Sequence, residues 1–348
     1  VEKILLSHAI PTEFGEDVRA EAAAVPQAVR PEDVLGRRDL RDLALATIDP
    51  VDARDHDDAI FVERTNNGFR AVVAIADVAH YVREKTALDR EAADRSCSVY
   101  LPDRVVPMLP HALSSNLCSL LPDVDRLCMA ADMTVSADGD LLDARFDEAV
   151  MCSRAKLNYA GAARTLGLTG EGEPDAKTET LKKELGAIHE LAKVLRKKRM
   201  ARGSLDFYLP EARVRIDPAS GQVVDVYRSP SDPGEKAAYG IVEELMLLCN
   251  ETVAQEFSRR DIAVVYRVHD RPDEQKLAAF SALARPFGFA LSVDEGLSPI
   301  HLAQFLKRVE GKPVERPLNQ LLLRAMKQAV YDPVNIGHFG LAARAYLH

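Results

Sequence analysis

The chain has 348 residues and a formal net charge of -9 at pH 7, with 47% hydrophobic and 28% charged residues. That balance supports a sizeable buried core and excludes a chain that is disordered over long stretches. It also excludes a global basic field, so a nucleic-acid partner has to be argued from local features. The length is compatible with one large domain, because sheet-rich folds often run past about two hundred residues. Cys97, Cys118, Cys128, Cys152 and Cys249 show no Cys-x-x-Cys spacing, so reduced thiols are expected rather than a zinc or redox site. No stretch approaches the roughly twenty apolar residues of a membrane span. With no secretory signal at its start, the chain is expected to be cytoplasmic and to have no membrane partner. Its start at Val1 without Met, and its stop just beyond the apolar run Phe339 to Tyr346, read as cuts from something longer.

Taken in chain order, residues 1–38 are expected to be a lead-in connector with a short helix and the acidic, Pro-punctuated stretch Glu21 to Asp33. Residues 39–348 are expected to form the main domain. Leu43 to Ile48, Ala59 to Val62 and Phe69 to Val78 read as strands, with Asn66-Asn-Gly68 turning between the last two. Arg126 to Met151 reads as a second hairpin around Ala137-Asp-Gly139. Gly167 to Lys177 reads as a surface loop. Leu181, Leu185, Ile188, Leu191 and Leu195 predict a helix over about 178–200. More sheet is expected from Leu205 to Val226 around Ser220-Gly221, and helices at 235–258, 273–285, 299–309 and 316–330. Strand pairs followed by helices predict an α+β class, a mainly antiparallel sheet flanked by helices.

The densest chemistry lies in Thr47-Ile-Asp-Pro-Val-Asp-Ala-Arg-Asp-His-Asp-Asp-Ala-Ile60, where five aspartates fall within ten residues between strand-like runs. Two carboxylates about 4 Å apart repel by around 1 kcal/mol in bulk water and by more at lower dielectric, so a folded cluster wants protons or a cation. Mg²⁺ suits such hard oxygens, since it takes one or two carboxylates and leaves positions for water and phosphate oxygens. On spacing alone a solvated acidic turn stays open beside that reading. An EF-hand does not, because Ala53 and Ala59 stand where its ligands would fall around Asp55 and Asp57.

The same segment, Thr-Ile-Asp-x-x-Asp-Ala-x-Asp-x-Asp-Asp-Ala, resembles the signature of the catalytic domain of the ribonuclease II and ribonuclease R family. The resemblance continues through Val73-Ala-Ile-Ala-Asp-Val-Ala-His-Tyr-Val82, Ser98-Val-Tyr-Leu-Pro102, Pro107-Met-Leu-Pro110, Leu117-Cys-Ser-Leu120, Arg202-Gly-Ser-Leu-Asp-Phe207, Ile241-Val-Glu-Glu-Leu-Met-Leu-Leu248, Tyr266-Arg-Val-His269 and Gly337-His-Phe-Gly-Leu341. These blocks cover about 40–348 and look closer to the ribonuclease R branch. The resemblance implies an RNB-type catalytic fold, incomplete at its C-terminal end. It also implies Mg²⁺-dependent, processive 3′-to-5′ hydrolysis of single-stranded RNA to nucleoside 5′-monophosphates. By position Asp49, Asp55, Asp57 and Asp58 are the acidic residues of that active centre and its metal site, with Asp57 the one most directly tied to cleavage. Asp52 has no counterpart. His56 departs from the apolar residue common between the acids, and in an extended segment it points away from Asp55 and Asp57, which puts the local packing in question. Beyond His348 the family continues into a Thr-Ser-Pro-Ile-Arg-Arg-Tyr block whose arginine contacts phosphate, and OB-fold domains flank its catalytic domain.

Without Trp, the chain must stack bases on Tyr and Phe. By resemblance Tyr100 and Phe207 match the family's aromatic clamp; by residue type alone each reads as a core residue, and on a strand the adjacent Tyr208 competes with Phe207. Glu243 and Glu244 interrupt an apolar helix, and the family has a ribose-contacting Glu in this block. Arg267 and His269, two apart on an expected strand, share a face that meets either phosphate or a buried acid. His338 reads as a satisfied loop histidine. Lys193, Arg196, Lys197, Lys198, Arg199 and Arg202 form a cationic run that reads either as a solvated helix face or as a phosphate-steering surface. The expected partner is therefore the 3′ end of single-stranded RNA, with no stable protein partner and a monomeric state. A fold-conserved RNA-binding or regulatory relative that has lost turnover is the alternative.

Overall fold

Ala59-Ile-Phe-Val62 and Ala71-Val-Val-Ala74 are buried at every position, as strands covered on both faces must be. A computed structural model, which describes all residues except 170, 171, 174, 208–210, 218, 219, 230, 231 and 292–297, places both in a seven-stranded sheet. The strands of this half are β1 (Arg38–Asp39), β2 (Ala46–Asp49), β3 (Asp58–Thr65), β4 (Gly68–Ala76), β5 (Val99–Tyr100), β6 (Val105–Val106), β7 (Asp125–Ser136), β8 (Leu141–Cys152) and β9 (Ala155–Asn158). β5 and β6 form their own small ribbon, and the large sheet runs β1-β8-β7-β4-β3-β2-β9. Thr65 pairs with Gly68 across Asn66-Asn67, so the expected turn closes the β3–β4 hairpin in two residues. β1 pairs parallel with β8, and β2 parallel with β9.

By their internal contacts the residues form two units, 1–135 with 142–189 and 211–242, and 136–141 with 190–210 and 243–348. The first holds the large sheet. Its helices include α1 (Glu2–Ser7), α2 (Glu16–Ala24), α3 (Val78–Tyr81), α4 (Ala87–Arg95), α5 (Tyr159–Thr165) and α6 (Ala176–Thr180). Residues 1–38, expected as a connector, carry α1 and α2, and Val18 and Ala22, one turn apart on α2, join the same core as Leu88, Leu113, Phe61, Val72 and Met151. Ions fasten this segment as well. Arg37 donates to Asp77 Oδ2 at 2.7 Å, and Asp33 Oδ1 lies 3.2 Å from His80 Nε2.

Two long helices, α7 (Lys182–Ala201) and α8 (Pro233–Arg259), contribute residues to both units. The second unit also contains α9 (Glu274–Ala284), α10 (Pro299–Val309) and α11 (Glu315–Ala325), whose Leu277, Phe280, Leu302, Phe305, Leu318 and Leu322 pack as one core. The helix expected to reach residue 330 stops at Ala325, where Met326 turns extended.

The sheet expected from Leu205 to Val226 is corrected in two ways. Residues 205–207 are not strand, because Gly203, at φ +97°, reverses the chain and directs Leu205 into the helical core. Beyond them, β10 (Glu211–Ile216) and β11 (Val223–Ser229) pair as a separate two-stranded ribbon rather than joining the large sheet. A third ribbon pairs β12 (Tyr266–Val268) with β13 (Val330–Asp332). Among the described residues no helix is long and apolar enough to cross a membrane. The five cysteines are free thiols, as their spacing predicts.

Gly203 is the position where a side chain is least tolerable. A Cβ there would lie 2.6 Å from the Ile300 backbone, in addition to the cost of positive φ. Gly203→Ala is expected to lower stability by more than ~1 kcal/mol, read as a lower urea midpoint in equilibrium unfolding.

Candidate active site

β2 ends at Asp49, in register with Asn158 of β9, and Pro50, lacking an N–H, takes the chain out of the ladder. The chain returns through residues 50–57 and re-enters the sheet at Asp58, the first residue of β3, opposite Ile75. The Asp57 carbonyl accepts from the Ala76 N–H at 2.9 Å. Asp49 and Asp58 thus stand at the ends of neighbouring strands, with Asp55 and Asp57 on the loop joining them.

Their proximity shows in their protonation. Burial, then the charges of Asp49 and Asp57, push the Asp58 carboxyl up to about 7. Burial, then Asp55 and Asp49, push Asp57 up to about 6; it keeps an exposed surface, and the more enclosed Asp58 is shifted further. The His56 imidazole offsets part of both shifts. Asp52 is exposed and acts on neither. Among the described residues no three His, Cys, Asp or Glu side chains converge closely enough to form a complete metal-ligand group. The donor set nevertheless fits Mg²⁺, which takes one or two carboxylates and fills its remaining positions with water and phosphate oxygens.

His56 is more than a packing variation. Its ring is buried, and Nδ1 lies 2.6 Å from Asp49 Oδ2. Its backbone N–H donates to Ser119 Oγ at 3.0 Å, and its carbonyl accepts from the Leu120 N–H at 2.8 Å. The Ser119 segment is fixed in turn by the buried Arg126 guanidinium, which donates to the carbonyls of Asn116 and Ser119. Two further groups near the acids carried no signal in the sequence. Lys156 Nζ donates to the Ala53 carbonyl at 3.2 Å. Tyr159 is raised by burial and by the charges of Asp49 and Asp58, and its ring meets Tyr239 edge-on at 5.3 Å. Both lie some hundred residues from the cluster and approach it only because β9 pairs parallel to β2.

Tyr100, on β5, is 67% exposed, and its hydroxyl donates to Asp55 Oδ2 at 3.3 Å. The structure therefore brings together Asp49, Asp55, Asp57, Asp58 and Tyr100 in the first unit.

In the second unit Glu244 is buried and taken up by Arg199, whose Nη2 donates to Oε1 at 2.6 Å and Nε to Oε2 at 3.0 Å. Glu243 is more exposed, with Arg199 at 3.5 Å, and burial raises its carboxyl. Of the two, only Glu243 retains accessible oxygen. Phe207 is half-buried against the helical core, and Tyr208 lies outside the described residues. Arg267 stacks its guanidinium on Tyr331 at 4.7 Å. His269 is buried; Nδ1 accepts from the Gly340 N–H at 2.9 Å, so Nε2 carries the proton donated to the Lys327 carbonyl at 2.8 Å. His338 accepts from the Leu341 N–H, and burial lowers it to about 4. In the cationic run Arg196 pairs with Asp206, Lys198 with Asp140, Arg199 with Glu244 and Arg202 with Glu251. Lys193 and Lys197 alone have no acid partner among the described residues.

Raised carboxylates bind protons more tightly folded than unfolded, so their contribution to stability is full below about pH 4 and is lost as pH rises through 6 to 7. Asp58→Asn is therefore expected to raise the melting temperature of the metal-free protein at pH 8, on the order of 2–4 °C, and to lose that advantage near pH 4. Paired thermal melts at the two pH values check the sign.

The RNB domain family model matches residues 37–348. Ribonuclease R of Escherichia coli (strain K12) is 40% identical over 351 residues, covering 100% of this chain and 42% of the relative. The apo form of Mycoplasma genitalium RNase R has a TM-score of 0.91 at 30% identity, covering 100% of this chain and 53% of that one. Yeast Ssd1, described as a pseudonuclease, shares the fold with a TM-score of 0.71 at 18% identity, covering 93% of this chain and 39% of that one. The chain thus spans about half the length of the ribonuclease R proteins it matches. With the acid cluster, the seven-stranded sheet and every helix from α3 onward falling inside the matched span, the chain belongs to the RNB domain family.

Proposed function

We propose that the chain is the core of a Mg²⁺-dependent exoribonuclease that hydrolyses single-stranded RNA from its 3′ end to nucleoside 5′-monophosphates, remaining on the strand between cleavages. The observation that carries this reading is the coupled cluster, in which Asp57 and Asp58 are held above the ordinary carboxylate range by burial and by each other's neighbours. A divalent cation relieves that repulsion, and when bound it supplies an activated water and offsets charge on the leaving oxygen. Asp49, Asp55, Asp57 and Asp58 are the residues that would hold it.

The chain's own side chains supply the remaining functions. Tyr100, exposed and tethered to Asp55, offers a ring for a terminal base. Glu243 keeps oxygen free to accept from a ribose hydroxyl, whereas Glu244 is committed to Arg199. Phe207 is proposed as the second clamp ring. His269 is a weaker candidate for RNA, since both ring nitrogens bond backbone groups, and Arg267 reaches RNA only by leaving Tyr331. RNA binding draws support from a relative, because one Mycoplasma genitalium RNase R structure is a complex with ribose methylated single-stranded RNA.

The second reading is an RNA-binding relative without turnover, favoured by the pseudonuclease with the same fold. Retention of all four aspartates argues against it, because a binder released from catalysis gains stability by losing their repulsion. Asp57→Asn is expected to cut monophosphate release from a single-stranded oligonucleotide on the order of 100-fold or more, while RNA binding persists. Unchanged release would refute the assignment. Tyr100→Ala is expected to weaken binding of a short oligonucleotide by ~1–3 kcal/mol, measured by fluorescence anisotropy.

A further inference from the structure

His56 is more firmly built in than a spacer between acids needs to be. Both its backbone polar groups are bound to the Ser119-Leu120 segment, and Arg126 anchors that segment from beneath. The ring is only 1% exposed, and its Nδ1 reaches Asp49 Oδ2 at 2.6 Å. A carboxylate only accepts, so the imidazole donates through Nδ1. The other ring nitrogen, Nε2, is buried and has no hydrogen-bond partner among the described residues. An apolar side chain would fill this site without burying an unsatisfied nitrogen, so the ring's value lies in the one bond it makes.

That bond acts on Asp49, which stands at the end of β2 facing the repulsion of Asp57 and Asp58. A free carboxylate there would rotate to escape its neighbours. With Oδ2 held by the ring, rotation of the Asp49 carboxylate is opposed, and Oδ1 is the oxygen that His56 does not engage. We propose that His56 is a positioning residue for divalent-cation capture, holding Asp49 so that it offers one oxygen in a fixed direction. The inference rests on the reading of the four aspartates as a cation site and adds to it a supporting side chain outside the ligand set. Partners of this kind, hydrogen-bonded to a ligating group, typically change metal affinity by about 10–100-fold when removed.

The test compares the whole chain with His56→Phe, which fills the space without a donor, His56→Leu, a second apolar variant, and His56→Asn, whose amide nitrogen occupies about the place of Nδ1. Thermal melts establish that each variant is folded. Mn²⁺ binding without RNA is measured by electron paramagnetic resonance, and Mg²⁺ dependence of RNA hydrolysis is measured separately. The apolar variants are expected to weaken Mn²⁺ binding and raise the half-saturating Mg²⁺ concentration by about 10-fold or more, with kcat largely recovered at saturating Mg²⁺. His56→Asn is expected to stay within about threefold of wild type in both. Wild-type Mn²⁺ affinity in either folded apolar variant overturns the proposal but not the exonuclease reading. Equal impairment of folded Asn and apolar variants also overturns it, because the ring would then act only by its shape. Tight Mn²⁺ binding by wild type with no monophosphate release sinks the exonuclease reading and leaves this one standing, provided the variants rank as stated.

Discussion

Like charge concentrated at the ends of two neighbouring strands is the constraint around which the first unit is organised. Asp49 closes β2 and Asp58 opens β3, and the intervening loop adds Asp55 and Asp57, so the sheet that buries Ile60, Val62 and Val73 also brings carboxylates together at its rim. Burial of the strands supplies the free energy that holds the acids against their repulsion. The strain appears where it should, in the carboxyls of Asp57 and Asp58, both raised, and Asp58 the more because it is the more enclosed. Stability and chemistry pull in opposite directions here, as they do at sites whose function requires unfavourable charge.

The second unit shows the opposite arrangement, in which charge serves to hold structure. Arg199 and Glu244 form a buried pair, and the same guanidinium donates to Ser204 Oγ at 2.9 Å, fixing the turn at Gly203 that sends Leu205 into the core. His269 joins Gly340 and Lys327 by its ring, and its backbone bonds to Gly337 and Phe339. The blocks Tyr266 to His269 and Gly337 to Leu341 are thus two halves of one hydrogen-bonded assembly. Residues that a motif marks for attention can serve to position backbone as readily as to meet a ligand.

Much of this was legible from period and punctuation. The β3–β4 and β7–β8 hairpins followed from apolar runs around Asn66-Asn-Gly68 and Ala137-Asp-Gly139, and the helix over 299–309 from its apolar spacing, because those signals are local. The acid cluster was legible because charge density is visible in one dimension. Features that the sequence does not announce depend on a distant contact or on a backbone conformation. The positive φ of Gly203 removed an expected strand. The parallel pairing of β9 with β2 brought Tyr159 to the cluster, and no local pattern announces a parallel partner a hundred residues away. Likewise, His56 reads as a packing variation in the sequence because its partner, Asp49, lies seven residues earlier and across a loop.

The cationic run changes meaning most. Read as sequence, Lys193 to Arg202 is a block of positive charge with no acid inside it, the pattern of a phosphate-steering face. In three dimensions four of its six cations face acids brought from elsewhere, Asp140, Asp206, Glu244 and Glu251. The densest basic segment of a chain of net charge -9 is thus largely committed to internal ion pairs and is not a free phosphate-binding face. On the proposed reading, RNA would be held through forces that salt screens weakly, such as stacking on Tyr100 and hydrogen bonds to ribose, and through cations held by the aspartates. On the proposed exonuclease reading such a grip suits a strand that moves between cleavages, since a ring face accepts each successive base alike, whereas a fixed set of phosphate ion pairs would have to break together at each step.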